Sequence, residues 1–239
     1  MIPNHWNALP ICPPVGAAGG PTAFIPLTGK PPTIAREKVQ WFVTIYNPVG
    51  EKCSGALTSK TRIATAERCV ADSSGKVHKG EFQVLLGAFS DYKQSATTKD
   101  ARVLNRKTDV AMLVLPAGMK GAGIPTVSRT EPERERNATL YGSGRTPQDT
   151  EGKLIHSLDV GVSRAGEGSS EVQTGGKRHC ACDGDSGGPL VRKVGGKYQL
   201  LAVIHASNLK QGECPEKSAE ERRTVVGTTA AYYEQLTAG

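Results

Sequence analysis

Short runs of apolar and β-branched residues, each bounded by turn-forming residues, recur along most of this chain. They lie at residues 41–46, 82–86, 110–115, 138–141, 154–160 and 200–204. Runs of this length, with Gly, Pro, Asn, Asp and Ser between them, are typical of β-strands. Residues 229–236 give the best candidate for a helix. The pattern therefore predicts an all-β protein with a helix at its C-terminal end.

The domain organisation follows from where this pattern begins and where it breaks. Residues 1–34 are rich in proline and show no periodicity, so we expect an irregular N-terminal segment there. We assign a first β-domain to residues 35–125 and a second, with the helix, to residues 126–239. A chain of 239 residues can bury two such cores. Two β-domains in series are the expected architecture.

The charge and composition exclude several classes of partner. The formal net charge is +7, but the Lys and Arg residues are scattered among acidic ones, so we expect no nucleic-acid partner. No apolar run approaches the roughly 18 residues of a membrane span, so we expect none.

The 6 cysteines, without a Cys-x-x-Cys metal spacing, indicate disulfides and a secreted or periplasmic location. Residues 1–6 do not resemble a signal peptide, so any such leader has been removed. We predict neither a metal nor a cofactor.

One stretch carries candidate chemistry: Cys-Asp-Gly-Asp-Ser-Gly-Gly-Pro at residues 182–189. Glycines on both sides of Ser186 allow a sharp turn that leaves its hydroxyl exposed, as a nucleophile requires. The amides of Gly184 and Ser186 can then converge on one oxyanion. This octapeptide resembles the nucleophile loop of the chymotrypsin/trypsin family of serine proteases.

Other segments extend the resemblance from about residue 41 to the C-terminal end. They are Cys-Ser-Gly-Ala-Leu at 53–57, Ile-Ala-Thr-Ala-Glu-Arg-Cys at 63–69, Thr-Asp-Val-Ala-Met-Leu at 108–113 and Tyr-Gly-Ser-Gly at 141–144. The resemblance implies two packed six-stranded Greek-key β-barrels with a C-terminal helix. It also implies disulfides Cys53–Cys69 and Cys182–Cys214. Cys12 and Cys180 then remain as a possible third pair.

The resemblance assigns two members of a catalytic triad and changes the third. Ser186 falls on the nucleophile and Asp109 on the carboxylate that orients the base. The family's histidine falls on Arg68, whose guanidinium stays protonated and cannot be a general base. We expect Arg68 to pair with Asp109 instead. His205 falls on a serine position beside the triad aspartate, so we predict that it is a relocated base; the alternative is a structural histidine at a strand end.

The other histidines are weaker candidates for the base: His5, His78, His156 and His179. In the family, a newly cleaved N-terminal ammonium binds the carboxylate at Asp185, but no basic residue precedes Ile25 to support such a cleavage here. Asp185 is therefore expected to meet Arg68, another cation, or nothing.

The positions that form the family's specificity pocket also depart from its pattern. Cys180 falls at the base of that pocket, and Ala206 and Ser207 fall on its wall. With no aspartate at the base, a preference for Lys or Arg in the substrate is not supported.

Two functions remain open. The first is a serine endopeptidase that acts on a protein or peptide substrate through Ser186, His205 and Asp109. The second is an inactive protease homologue that serves as a binding module, with Arg68 blocking catalysis. We favour the first, because an inactive scaffold has no evident need for both an intact serine loop and His205.

Overall fold

The chain folds as an all-β protein, as the pattern predicts. The computed structural model describes residues 38–132, 134–145, 149–166, 169–173, 184–205 and 224–238. Two seven-stranded sheets make up the fold. Its helical elements include 3-10 turns at Glu67–Cys69 and Ala230–Tyr232 and a short α-helix, α1, at Tyr233–Thr237. None of the described helices is long and apolar enough to cross a membrane.

The first sheet is built from strands that mostly follow one another as antiparallel neighbours, in the order β5-β4-β1-β2-β3-β7-β6. Its strands are β1 (Phe42–Tyr46), β2 (Lys52–Leu57), β3 (Arg62–Thr65), β4 (Phe82–Leu86), β5 (Ser95–Thr98), β6 (Asp100–Asn105) and β7 (Val110–Val114). The strands with the most continuous apolar sequence, β1, β4 and β7, are also almost entirely buried.

The second sheet has the order β12-β9-β10-β11-β14-β13-β8. Its strands are β8 (Thr126–Val127), β9 (Arg134–Gly142), β10 (His156–Gly166), β11 (Ser169–Gln173), β12 (Pro189–Val194), β13 (Lys197–Ile204) and β14 (Thr224–Thr228). The short β8 is parallel to β13, and the remaining pairs are antiparallel.

Both sheets close on themselves. Only Lys99 separates β5 from β6, which lie at opposite edges of the first sheet, so one bent strand closes the ring. In the second sheet, β12 pairs with β13 as well as with β9, which closes six strands and leaves β8 outside the ring. Each barrel thus contains six strands, and the predicted two-barrel fold is confirmed. The domain boundaries, between residues 34 and 35 and between residues 125 and 126, stay a prediction.

Aromatic side chains connect the two barrels. Trp41, which precedes β1, is 1% exposed and meets two tyrosines of the second barrel edge-on. Its ring centroid lies 5.4 Å from that of Tyr141 and 5.2 Å from that of Tyr198. From the C-terminal end, Leu236 is fully buried, and its carbonyl accepts a hydrogen bond from the Thr58 hydroxyl of the first barrel. These contacts fix the seam along which the candidate site lies.

Candidate active site between the barrels

The serine loop is held by backbone hydrogen bonds from both barrels. In the first barrel, Ser54 N–H donates to the carbonyl of Ser186 over 2.8 Å. In the second, Gly187 N–H donates to the carbonyl of Ile204 over 3.0 Å, and Gly188 N–H donates to that of Asp185 over 2.8 Å. The Ser186 side chain is half-exposed. The loop therefore presents this serine at the seam, next to the end of β13.

Close approach to the first barrel requires glycine at position 187. Its φ is +77°, a conformation that is costly for residues with a side chain. A Cβ atom at this position would lie 2.2 Å from the Thr65 hydroxyl oxygen and 2.4 Å from the Ser54 carbonyl oxygen. The glycine after the serine thus allows the nucleophile loop to pack directly against β2 and β3.

The amides predicted to bind an oxyanion lie on the same turn. Gly184 has a φ of +98° and is buried, and Ser186 follows it by two residues. Neither the Gly184 nor the Ser186 N–H donates a hydrogen bond to another residue within the described part of the chain. Two such donors on one turn can stabilise the negative charge of a tetrahedral intermediate.

Asp109 lies at the entrance to β7 in a strained conformation. It is the non-glycine residue with positive φ, +56°, among the described residues, and its carboxylate is only 2% exposed. Asp and Asn tolerate this region better than other residues, but the conformation still costs free energy. The carbonyl of Asp109 accepts a hydrogen bond from Glu67 N–H over 3.2 Å. The chain is thus bent so that the carboxylate points into the seam.

Arg68 holds this carboxylate with two hydrogen bonds. Its backbone N–H donates to Oδ1 over 2.9 Å, and its Nε–H donates to Oδ2 over 3.0 Å. The ion pair that we expected between Arg68 and Asp109 is therefore present. The disulfide Cys53–Cys69, which the resemblance implied, is also formed, and it anchors the turn that carries Arg68.

His205 reaches the same carboxylate from the other barrel. It follows β13 directly, and its Nδ1 lies 3.0 Å from Oδ2 of Asp109. The separation is that of an ion pair, but Nδ1 makes no well-aligned hydrogen bond to a described residue. The His205 side chain is 28% exposed. With Nδ1 facing a carboxylate, the ring's other nitrogen is the one that remains available to a substrate or nucleophile.

The charges around Asp109 keep it ionised. Burial raises the pKa of the Asp109 carboxyl, but the contact with His205 and the charge of Arg68 outweigh this effect and leave the pKa below its usual value. The neighbouring Glu67 behaves differently, because burial and the charge of Asp109 raise its pKa against the opposing effect of Arg106 and Arg68. Arg68 thus pairs with Asp109, whereas Glu67 pairs with Arg106, whose Nε lies 3.4 Å from Oε1 of Glu67.

The structure brings together some of the predicted residues and leaves one contact unmade. Arg68 and His205 both contact the carboxylate of Asp109. Among the described residues there is no hydrogen bond between the Ser186 hydroxyl and His205. Cys180, Ala206, Ser207 and the disulfides Cys182–Cys214 and Cys12–Cys180 lie outside the described residues.

The remaining described histidines, His78 and His156, make no hydrogen bond or ion pair with Asp109. His156 is buried, and its Nε2 lies 3.3 Å from Oδ2 of Asp149. His78 is held through its backbone N–H, which donates to the carbonyl of Val70 over 2.9 Å. Within the residues that the structure describes, no cluster of His, Cys, Asp and Glu could hold a metal ion.

Asp185 does not meet Arg68. Its Oδ1 accepts a hydrogen bond from Gly144 N–H over 2.7 Å, and the side chain is 1% exposed. Lys52, at the start of β2, is a cation that acts on Asp185 electrostatically. Nothing in the sequence around Lys52 singled it out. A lysine at the first position of a strand is ordinarily a solvated side chain, and its partner is distant in the sequence.

Two closed β-barrels, with a glycine-flanked serine and a buried aspartate at their seam, define a trypsin-like protein. The family model described as Trypsin matches residues 29–219. Because that match covers most of the chain, the protein belongs to the trypsin family. A comparison with curated proteins finds no match.

Proposed function

We propose that the protein is a serine endopeptidase with a non-standard triad, which hydrolyses peptide bonds of a protein or peptide substrate through an acyl-enzyme. The observation that carries this proposal is the 3.0 Å separation between His205 Nδ1 and Asp109 Oδ2. His205 immediately follows Ile204, which exchanges backbone hydrogen bonds with Gly187 and Gly188 of the serine loop. The proposed base, His205, and the proposed nucleophile, Ser186, thus lie on two segments that are joined by backbone hydrogen bonds.

In the proposed reaction, Ser186 is the nucleophile. His205 Nε2 takes the hydroxyl proton while Oγ attacks the substrate carbonyl carbon, and the amides of Gly184 and Ser186 bind the resulting oxyanion. The protonated His205 then gives its proton to the leaving amine as the carbon–nitrogen bond breaks. Water then attacks the acyl carbon and loses a proton to His205. The bond between that carbon and Oγ breaks, and His205 returns the proton to Oγ, which releases the acid and restores Ser186.

Asp109 and Arg68 have opposing effects in this proposal. Asp109 orients His205 and stabilises its protonated form, because a buried carboxylate favours a neighbouring cation. Arg68 occupies the position of the family's histidine, remains charged and cannot accept the serine proton. Its guanidinium also competes with His205 for Oδ2 of Asp109. We expect this competition to make the enzyme slower than a protease with the usual histidine.

The family and the disulfide support a location for the protein. A disulfide such as Cys53–Cys69 persists in an oxidising environment. We therefore propose that the protein is secreted or periplasmic. The proposed substrate pocket includes Cys180, Ala206 and Ser207, and the lack of an acidic residue at its base argues against substrates with Lys or Arg at the cleaved bond.

A second candidate function rests on a specific observation. Arg68 makes two hydrogen bonds to Asp109, while no described hydrogen bond joins His205 to Ser186. This arrangement fits an inactive homologue in which the guanidinium neutralises the buried carboxylate and the barrels serve as a binding module. The two functions predict opposite reactivity of the Ser186 hydroxyl.

Labelling with a fluorophosphonate, which reacts with activated serines, separates the two functions. We expect wild-type protein to be labelled at neutral pH, Ser186→Ala to be inert, and His205→Ala to lose about 100-fold or more in labelling rate. His78→Ala is the matched histidine control and should label as wild type does. If wild type is inert but Arg68→His is labelled, the protein is an inactive homologue. Labelling that survives His205→Ala would rule out the relocated base.

A further inference from the structure

A lysine ammonium is enclosed behind the serine loop. Lys52 is a half-buried residue at the start of β2, and its Nζ donates hydrogen bonds to the backbone carbonyls of Ser143 and Gly152. An ammonium removed from water in this way is costly unless negative charge compensates it. Two carboxylates, Asp185 and Asp149, supply that attraction.

One peptide group connects the lysine to Asp185. The carbonyl of Ser143 accepts a hydrogen bond from Lys52, and the N–H of the next residue, Gly144, donates to Oδ1 of Asp185 over 2.7 Å. The carbonyl and the N–H on either side of this peptide bond point in opposite directions. The negative end of the peptide dipole therefore faces the ammonium, and its positive end faces the carboxylate. Each of the two hydrogen bonds strengthens the other.

The surroundings of this peptide group leave no room for larger residues. A Cβ atom at Gly144 would lie 2.5 Å from the Asp185 carboxylate, and one at Gly152 would lie 2.7 Å from Lys52 Nζ. Both positions must therefore be glycine if the ammonium, the peptide group and the carboxylate are to approach so closely. The close approach of Lys52 and Asp185 to this peptide group thus depends on two glycines of the second barrel.

The carboxylate in this arrangement belongs to the serine loop. Asp185 lies between Gly184 and Ser186, whose amides form the proposed oxyanion site, and its carbonyl accepts the Gly188 N–H. The Ser54 hydroxyl donates to the Gly184 carbonyl over 2.7 Å and lies within 3.2 Å of the Ser143 hydroxyl. A shift of Asp185 would therefore move the two amides that bind the reacting oxygen.

We propose that Lys52 is a positioning residue, which acts through the Ser143–Gly144 peptide group to keep Asp185 buried and the oxyanion amides in place. This inference rests on the proposed function, because it concerns the amides of that same site. In this proposal, a charge on β2 acts on the serine loop from the first barrel. Loss of the Lys52 proton weakens the hold on Asp185 and slows the reaction of Ser186.

The groups that face Lys52 set the pH at which this happens. Removal from water lowers the pKa of Lys52 to about 8, with Asp185 and Asp149 acting in the opposite direction and Arg145 lowering it further. His156, whose Nε2 lies 3.3 Å from Oδ2 of Asp149, is a further titratable group in this cluster. The Ser186 labelling rate should therefore fall as the pH rises through about 8.

The test compares fluorophosphonate labelling rates between about pH 6 and pH 10 in wild type and in Lys52→Met, Lys52→Arg and Lys79→Met. Lys79 is an exposed lysine and serves as the matched control. We expect a falling alkaline limb in wild type and in the control. Lys52→Met should be at least about tenfold slower at neutral pH and lack this limb, and Lys52→Arg should shift the limb to higher pH. A wild-type profile in Lys52→Met would overturn the proposal.

A second measurement separates the failure of this inference from the failure of the proposed function. If wild type is not labelled at any pH, the endopeptidase proposal fails, and the role of Lys52 in holding Asp185 is tested by NMR titration of 13C-labelled lysine. Replacement of Asp185 by Asn should then lower the pKa of Lys52 below its wild-type value, because an attractive charge is lost. An unchanged pKa would show that Lys52 does not sense Asp185, and the inference would be wrong.

Discussion

Arg68 and Asp109 are joined by two hydrogen bonds that use both oxygens of the carboxylate. The backbone N–H of Arg68 binds Oδ1 at 2.9 Å, and its Nε binds Oδ2 at 3.0 Å. The backbone bond does not depend on the identity of residue 68, whereas the guanidinium bond does. The backbone therefore positions the carboxylate largely without help from the side chain at residue 68. That side chain instead sets how strongly Asp109 can interact with His205, because both contact Oδ2.

Asp109→Asn tests the role of this carboxylate in stability. Asn tolerates the positive φ of +56°, so the change removes the charge and leaves the backbone nearly unstrained. We expect a loss of about 1–2 kcal/mol in unfolding free energy at neutral pH, since hydrogen bonds to charged groups are the stronger ones and the Arg68 side chain is partly screened by solvent. Urea unfolding measures the loss, and the exposed Asp91→Asn is the control.

The pH dependence of the same variant follows from the lowered pKa of Asp109. Because the folded-state pKa lies below the unfolded-state one, the unfolded chain binds more protons at acid pH. The stabilisation is present above the unfolded-state pKa of about 4 and is lost as the pH falls through the folded-state value. The stability difference between wild type and Asp109→Asn should therefore shrink at about pH 3. A difference that stays constant would contradict this account.

Gly187→Ala tests the packing of the serine loop against the first barrel. The new methyl group would meet the Thr65 hydroxyl at 2.2 Å and the Ser54 carbonyl at 2.4 Å, in a backbone with φ of +77°. We expect a loss of more than about 2 kcal/mol in stability and a large decrease in Ser186 labelling. Gly195→Ala is the matched control, because Gly195 also has a positive φ, +56°, but nothing lies within 4 Å of its Cβ position. Equal losses in the two variants would show that the clash is unimportant.

Sequence patterns predicted the fold most accurately where strands are buried on both faces. The predicted run at 82–86 matches β4, and the runs at 41–46 and 110–115 match β1 and β7 to within one residue. The pattern missed β5 and β6, where buried or half-buried residues alternate with exposed polar ones in short segments. The β-strand propensity of these segments is weak, and they form strands because β5 pairs with β4 and β6 pairs with β7. The closing bend at Lys99 could not be predicted from local sequence either.

The residues of the candidate site also differ in how far the sequence could predict them. The serine loop could be found by inspection, because glycines and a serine in that spacing have few other uses. Asp109, Arg68 and His205 could be named only through the family resemblance, since a turn aspartate and a strand-end histidine carry no local signal. Lys52 was missed, because its role depends on a peptide group between β9 and β10 and on a carboxylate of the serine loop. Such a role arises from tertiary packing and has no sequence motif.

Trp41 links the two barrels, and its substitution tests how far they stabilise each other. Trp41→Ala removes the contacts with Tyr141 and Tyr198 and leaves a cavity, so we expect a loss of about 3–5 kcal/mol in unfolding free energy. Trp41→Phe keeps much of the ring and removes an indole N–H that is buried without a partner among the described residues. It should cost far less than the alanine change, because loss of an unsatisfied donor partly offsets the lost volume. Thermal or urea unfolding of the three proteins measures the difference, and equal losses in both variants would contradict the packing argument.

Lys52→Met tests the cost of enclosing an ammonium behind the serine loop. Because the pKa of Lys52 falls from 10.5 to about 8 on folding, the unfolded chain binds more protons than the folded one between these values. The unfolding free energy of wild type should therefore rise with pH across this window, by roughly 2–3 kcal/mol from this group. Lys52→Met should lack this contribution, whereas Lys79→Met should keep it. If stability rises while Ser186 labelling falls over the same pH range, Lys52 positions the serine loop and does not act through stability alone. Parallel slopes in wild type and Lys52→Met would rule out the lowered pKa of Lys52.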